Sequence, residues 1–265
     1  MTIEIIQVDA FTDQIFAGNP AAVALLDTSA DDTFLQQLAL EMNLSETAFP
    51  RRRDDGDWDL RWFTPASEVD LCGHATLATA HVLFDRSLVE GDTVRFHTRS
   101  GVLTCRNESG GIIMDFPAAP AEPTDEIAGL ADALGAEVID LGRSFDLLVE
   151  LASPDIVATL QPDMTALAAI DTRAVLVTAA GDIDGGEADF VSRVFAPRVG
   201  VAEDPVTGSA HCISGPWWSE RLGKTELAAH QVSARGGRLT VRIIDDRVEL
   251  TGQAITVLEG RLVGR

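Results

Sequence analysis

The chain has 265 residues, 46% of them hydrophobic and 23% charged, which is enough to bury a core and unlike a disordered segment. Forty-two acidic against 20 basic side chains give a formal net charge of −22. That excludes nucleic-acid binding through a basic face and sets an anionic membrane surface against the chain. Lys224 is the only lysine and tyrosine is absent, so lysine Schiff-base chemistry has one candidate and tyrosine acid/base chemistry none.

In chain order, Ile3–Phe11 alternates as a strand, and a turn over Phe16–Pro20 leads into the apolar run Ala21–Leu26. Phe34, Leu35, Leu38 and Met42 fall at helical spacing, which predicts a helix over Asp31–Met42 with Ser29 or Asp31 as N-cap. Glu46–Pro50 and Leu60–Phe63 read as strands around the charged turn Arg51–Asp57. Gly73–Phe84 reads as a buried, alanine-rich helix, followed by strands at Thr93–His97, Gly101–Arg106 and Ile112–Phe116. Pro117, Pro120 and Pro123 then predict a linker holding neither helix nor sheet. The N-terminal stretch carries acids where a signal peptide needs basic residues, and no apolar run approaches the roughly 18 residues of a membrane span. Cys72, Cys105 and Cys212 make an odd set without a C-x-x-C pair. Together these predict a soluble protein in the reducing cytoplasm.

After the linker the pattern starts again. Phe63-Thr64-Pro65 recurs as Phe195-Ala196-Pro197 at an offset of 132, and Arg99-x-Gly101-x-Leu103-Thr104-x-Arg106 recurs as Arg235-x-Gly237-x-Leu239-Thr240-x-Arg242 at 136. Seven residues beyond each proline stand Cys72 and Asp204, each leading into a glycine-containing helix start. Two such repeats in the same order predict two structurally equivalent halves, 1–116 and 121–265, with the last strand free to cross back into the first half.

Both helix starts, at Gly73 and at Gly208-Ser209, offer unpaired N–H groups and a positive dipole end. Facing each other, they would make a carboxylate site; the plainer reading, close packing through glycine, holds better for one such loop than for a matched pair. Glu46 sits at the mouth of an apolar strand and is either a capping carboxylate or an acid/base group. A base working near neutral pH needs a raised pKa, so Glu46 is expected to be buried with its pKa raised. Only His74 and His211 lie in the repeated segments; His81, His97 and His230 are assigned to core or surface. Cys72, His74, His211 and Cys212 lack a recognised zinc spacing, so no metal is expected. A Cys72 nucleophile with His74 as base stays open. Trp217-Trp218 reads as helix-end core packing or, less well, as an interface anchor.

The segments around Asn19 (G-N-P), Glu46 (L-S-E-T-A-F), His74 (C-G-H-A-T) and Asp204 (E-D-P-V-T-G-S) resemble the PhzF-like isomerases of phenazine-biosynthesis type, over nearly the whole chain. The resemblance implies an α+β, diaminopimelate epimerase-like fold of two pseudo-symmetric halves, each a curved, mostly antiparallel, barrel-like sheet around a central helix. It also implies Glu46 as general acid/base, His74 and Asp204 as further catalytic residues, and Gly73, Gly208 and Ser209 at the substrate carboxylate. By the same resemblance, Asn19 matches a cleft-lining position. Epimerases of this fold use one thiol per half, whereas here Asp204 stands opposite Cys72. A cofactor-independent isomerase acting on a small cyclic or amino-acid-like carboxylate is therefore expected, as a homodimer. An amino-acid epimerase or racemase using Cys72 opposite Asp204 or Glu46, and a non-catalytic small-acid-binding protein, are the alternatives.

Overall fold

Alternating and doubly buried apolar runs make the strands that begin the chain: β1 (Glu4–Ala10) and β2 (Asn19–Leu25). The structure, a computed structural model, describes residues 3–263. The turn between these strands needs a left-handed residue at Gly18, where a Cβ would stand 2.2 Å from the Ala10 carbonyl oxygen. Helix α1 (Asp32–Met42) starts at Asp31, whose carboxylate accepts the Phe34 N–H, and stops at left-handed Asn43. Then come β3 (Glu46–Arg52), β4 (Trp58–Phe63), the short β5 (Glu68–Val69), α2 (Gly73–Asp85), β6 (Thr93–Thr98), β7 (Gly101–Glu108) and β8 (Gly111–Pro117).

The chain divides into two compact units, Met1–Asp115 with Thr251–Arg265, and Phe116–Leu250. In the first, β1 and β2 pair antiparallel, β2 and β3 parallel, β3 and β4 antiparallel, β4 and β6 parallel, and β6 and β7 antiparallel. Helix α2 touches β1, β2, β3 and β7, so the sheet curves around it, and nine of its residues are buried. A helix apolar on every side has no solvent face to offer, which is why Gly73–Asp85 shows so little amphipathic pattern. The opposite face of the sheet carries α1 over Ile5, Ala22, Ala24, Phe49 and Phe63.

The second unit contains β9 (Glu122–Pro123), α3 (Leu130–Leu134), β10 (Asp140–Arg143), β11 (Leu147–Glu150), α4 (Pro154–Thr159), α5 (Met164–Ala169), β12 (Val175–Ala180), β13 (Phe190–Ala196), β14 (Val201–Asp204), α6 (Gly208–Leu222), β15 (Glu226–Gln231), β16 (Gly237–Ile244) and the greater part of β17 (Arg247–Gly252). Its pairings repeat the first unit's succession: β10–β11 antiparallel, β11–β12 parallel, β12–β13 antiparallel, β13–β15 parallel, β15–β16 antiparallel. Helix α6 packs on β12, β15 and β16, and Gly215 lets it approach, since a Cβ there would meet Val241 at 2.6 Å. Helices α3, α4 and α5 cover the other face through Leu130, Val157 and Leu167. The closing strand β18 (Ala254–Arg261) pairs antiparallel with β1, on the opposite side from β2.

One expectation changes here, and the preferred reading of the tryptophan pair holds. The proline-rich segment does carry sheet: Glu122 and Pro123 pair with Arg143 and Gly142, at an edge where Pro123 has no donor to lose. Trp217 and Trp218 are buried, their indole N–H groups donating to Glu150 Oε2 (2.9 Å) and Thr178 Oγ1 (2.8 Å), so the pair is core, not an exposed anchor. Pro216 precedes them inside α6 and cannot bond the Cys212 carbonyl; the Ala119 N–H takes that acceptor instead, at 3.0 Å. Among the described residues, no helix is long and apolar enough to cross a membrane.

Candidate active site

Three elements of the first unit bring Asn19, Glu46 and His74 together. Asn19 opens β2, Glu46 opens the neighbouring β3, and His74 is the second residue of α2. Asn19 is fully buried, and its Nδ2 lies 3.2 Å from His74 Nδ1. His74 Nε2 lies 3.0 Å from Glu46 Oε2, an ion-pair distance, yet that oxygen receives no directed hydrogen bond. Burial pushes Glu46 toward protonation, but the charge of the adjacent His74 outweighs it, and the Glu46 carboxyl lies below its ordinary range. Burial likewise opposes charge on His74, but the Glu46 carboxylate beside it outweighs burial, and the His74 pKa lies well above the ordinary value.

This corrects one expectation: Glu46 is largely enclosed, but its pKa is lowered, not raised. The cause is His74, which the sequence places 28 positions away. An ionised Glu46 is ready to accept a proton throughout the neutral range, at some cost in base strength.

Cys72 is the N-cap of α2 and is buried. Its sulfur lies 3.5 Å from Nδ1 and 4.0 Å from Nε2 of His74. An atom on the outward axis of one ring nitrogen would be far from the other, so the sulfur is on neither axis. The thiol is therefore poorly placed for proton transfer to the imidazole. Burial and the Glu46 charge push it up to about 11, which keeps it protonated at neutral pH. Glu46, Cys72 and His74 each offer a ligand atom within 4.8 Å of the others, near enough for a soft divalent cation. His211 and Cys212 bond instead to the Thr207 and Gly208 carbonyls of their own helix start.

In the second unit Asp204 ends β14, and Gly208 and Ser209 begin α6. Counted from the helix, the residue equivalent to Cys72 is the N-cap Thr207, three positions beyond Asp204. The Thr207 hydroxyl does not cap α6; it donates to Asp204 Oδ2 at 2.6 Å. Neither α2 nor α6 has a side-chain cap, whereas α1, α4 and α5 are capped by Asp31, Ser153 and Asp163. The N–H groups at Gly73 and at Gly208-Ser209 are thus left without the local side-chain acceptor that α1, α4 and α5 have.

Residues 8–260 match the PhzC–PhzF family of phenazine biosynthesis-like proteins. A protein of Halalkalibacterium halodurans, named an uncharacterized isomerase, is 49% identical over 99% of each chain. A solved structure of a PhzF-family phenazine biosynthesis protein from Enterococcus faecalis is similar at a TM-score of 0.95 and 41% identity, over 99% of both chains. The chain belongs to the PhzF family. It is an enzyme of the isomerase kind, with a mixed α+β fold shared more distantly by a hydroxyproline epimerase of Agrobacterium vitis (TM-score 0.61, 10% identity, 98% of this chain and 92% of that one).

The remaining histidines of this PhzF-family chain have local partners: His81 with Thr256, His97 with Asp57 and His230 with Asp182. Sequence reasoning missed Thr207 and Gln231. In β15 the buried face runs Leu227, Ala229, Gln231, and an amide in that apolar alternation was the available signal.

The pair Glu46–His74 has a pH signature. A lowered carboxyl favours folding fully above its ordinary value of 4.5 and loses that contribution as pH falls through the lowered one. A raised imidazole favours folding fully below 6.5 and loses it as pH rises through the raised value. Both contributions are complete between 4.5 and 6.5. The unfolding free-energy difference between wild type and His74→Asn is therefore expected to peak in that window and shrink on both sides, as measured by urea unfolding at a series of pH values.

Proposed function

We propose that the protein is a cofactor-independent isomerase that moves a proton within a small cyclic or amino-acid-like carboxylate, with Glu46 as proton carrier. The observation that carries this reading is the geometry of Glu46, a largely enclosed carboxyl whose Oε2 lies 3.0 Å from His74 Nε2 and lacks a directed donor. In the proposed step Glu46 takes a proton from a carbon near the carboxylate, the electron pair moves into the conjugated system, and the proton returns at another carbon. As Glu46 becomes neutral, its negative charge passes to the substrate, where the His74 cation stabilises it without any residue having to move. The family resemblance adds Asn19 and Gly73 of the first unit, and Asp204, Gly208 and Ser209 of the second, as the further residues proposed to serve the substrate. A coupling energy between Glu46→Gln and Asp204→Asn in a double-mutant cycle is the expected sign of that shared substrate.

The test uses deuterium oxide. Cyclohexadiene carboxylates and cyclic amino acids are incubated with the enzyme and followed by NMR. Deuterium arriving at a second carbon with a shifted double bond supports the isomerase. Inversion at one stereocentre, abolished by Cys72→Ala, would replace it with the epimerase reading. Binding of these acids without exchange would leave a small-acid-binding protein.

A further inference from the structure

Gln231 is the last residue of β15, paired in register with Ser192 of β13 and Gly237 of β16, and none of it reaches solvent. Every polar atom of its amide is used on one four-residue stretch. Oε1 accepts the Thr207 N–H at 2.8 Å, while Nε2 donates to the Asp204 carbonyl at 2.7 Å and to Thr207 Oγ1 at 3.2 Å. These partners fix the amide's orientation, because a flipped amide would face oxygen with oxygen and N–H with N–H. The second acceptor is the informative one. A threonine hydroxyl has one proton to give; when Nε2 occupies a lone pair of Oγ1, that proton is left for Asp204 Oδ2, 2.6 Å away.

We propose that Gln231 is a positioning residue: through Thr207 it orients the Asp204 carboxylate and keeps the Thr207 hydroxyl from capping α6. The placement stands on geometry; its consequence for turnover rests on the reading of Asp204 given above. Ser233, whose hydroxyl donates to the Pro205 carbonyl at 2.8 Å, anchors the same stretch without touching the relay, so it serves as the comparison.

The experiment is NMR of the Thr207 hydroxyl proton at low temperature, with deuterium exchange into trial carboxylates measured alongside. In wild type that proton is expected as a resolved, slowly exchanging signal. In Gln231→Met, of similar length but with no donor, it should exchange at least tenfold faster, while Ser233→Ala stays within threefold of wild type. Gln231→Glu gives a pH profile that a merely structural residue would not. A protonated carboxyl can donate to Oγ1 and an ionised one cannot, so protection relative to wild type should be near normal at pH 5 and lost at pH 8. For turnover, kcat is expected to fall at least tenfold in Gln231→Met with KM within twofold. An unprotected hydroxyl in wild type, or wild-type exchange in either folded variant at pH 8, overturns the proposal. Altered hydroxyl exchange with unchanged turnover would instead remove Asp204 from the reaction and leave the positioning role standing.

Discussion

Glu46→Gln is expected to remove deuterium incorporation almost completely, lowering the exchange rate by about 10³-fold, within the range that a positioned acid/base group supplies. The substitution keeps the shape and removes only the ability to take a proton. It also leaves His74 without its anionic neighbour, so the imidazole pKa falls back as burial is no longer opposed by that charge. A variant that folds like wild type, has a less basic His74 and shows no exchange is the full expected outcome. Exchange within tenfold of wild type would transfer the proton-carrying role to another group, and Cys72→Ala would then be the next variant to measure. The nearly neutral size change matters because Glu46 is the first residue of β3 and pairs with Ala21, so a larger side chain would disturb the strand as well as the chemistry.

Arg193→Ala should cost about 3–5 kcal/mol, the range for breaking a buried charge pair by removing one partner. Arg193 is almost enclosed by the sheet of the second unit and forks onto Glu203 at 2.7 and 3.0 Å. Its Nη1 also donates to the carbonyls of Val157 (3.2 Å) and Leu160 (2.7 Å), at the C-terminal end of α4, and the guanidinium lies over the Phe195 ring. Removing it strands a carboxylate and helix-end carbonyls together. Arg193→Lys should recover only part of the loss, because an ammonium cannot serve the fork and the carbonyls at once. The measurement is the urea midpoint of the second unit's transition, and a change below 1 kcal/mol would contradict this account. Because Glu203 precedes Asp204, Arg193→Lys should also slow turnover.

Elements with strong local signals were legible in the sequence. Asp31 ahead of a 3.6-residue apolar repeat marked α1, and alternating apolar residues marked β1, β6 and β7 to within one or two residues at their ends. The repeats at Phe63 and Phe195 were legible as well, and both motifs end matching strands, β4 and β13. Partner choice was not legible: the parallel steps β2–β3 and β4–β6 join strands whose own residues carry no mark of direction. Nor was the Glu46 pKa, which depends on a histidine delivered by a different element. The three-residue offset between Asp204 and Thr207 stayed hidden because counting from the proline motif passes over the longer β14. The motifs named Asn19, Glu46 and His74, but only the fold put them within hydrogen-bonding reach of one another.

The pairing of β1 with β18 has a consequence for synthesis. Glu4 lies opposite Arg261, so β1, once made, waits for a strand that leaves the ribosome much later. Until then β1 presents a row of open N–H and C=O groups on the side away from β2, the kind of edge that invites pairing with another chain. The residues that intervene include the whole of the second unit, whose own contacts are all available earlier. The order of completion is therefore the reverse of the order of translation, and a nascent chain held short of residue 254 is the form in which aggregation and chaperone capture should be greatest.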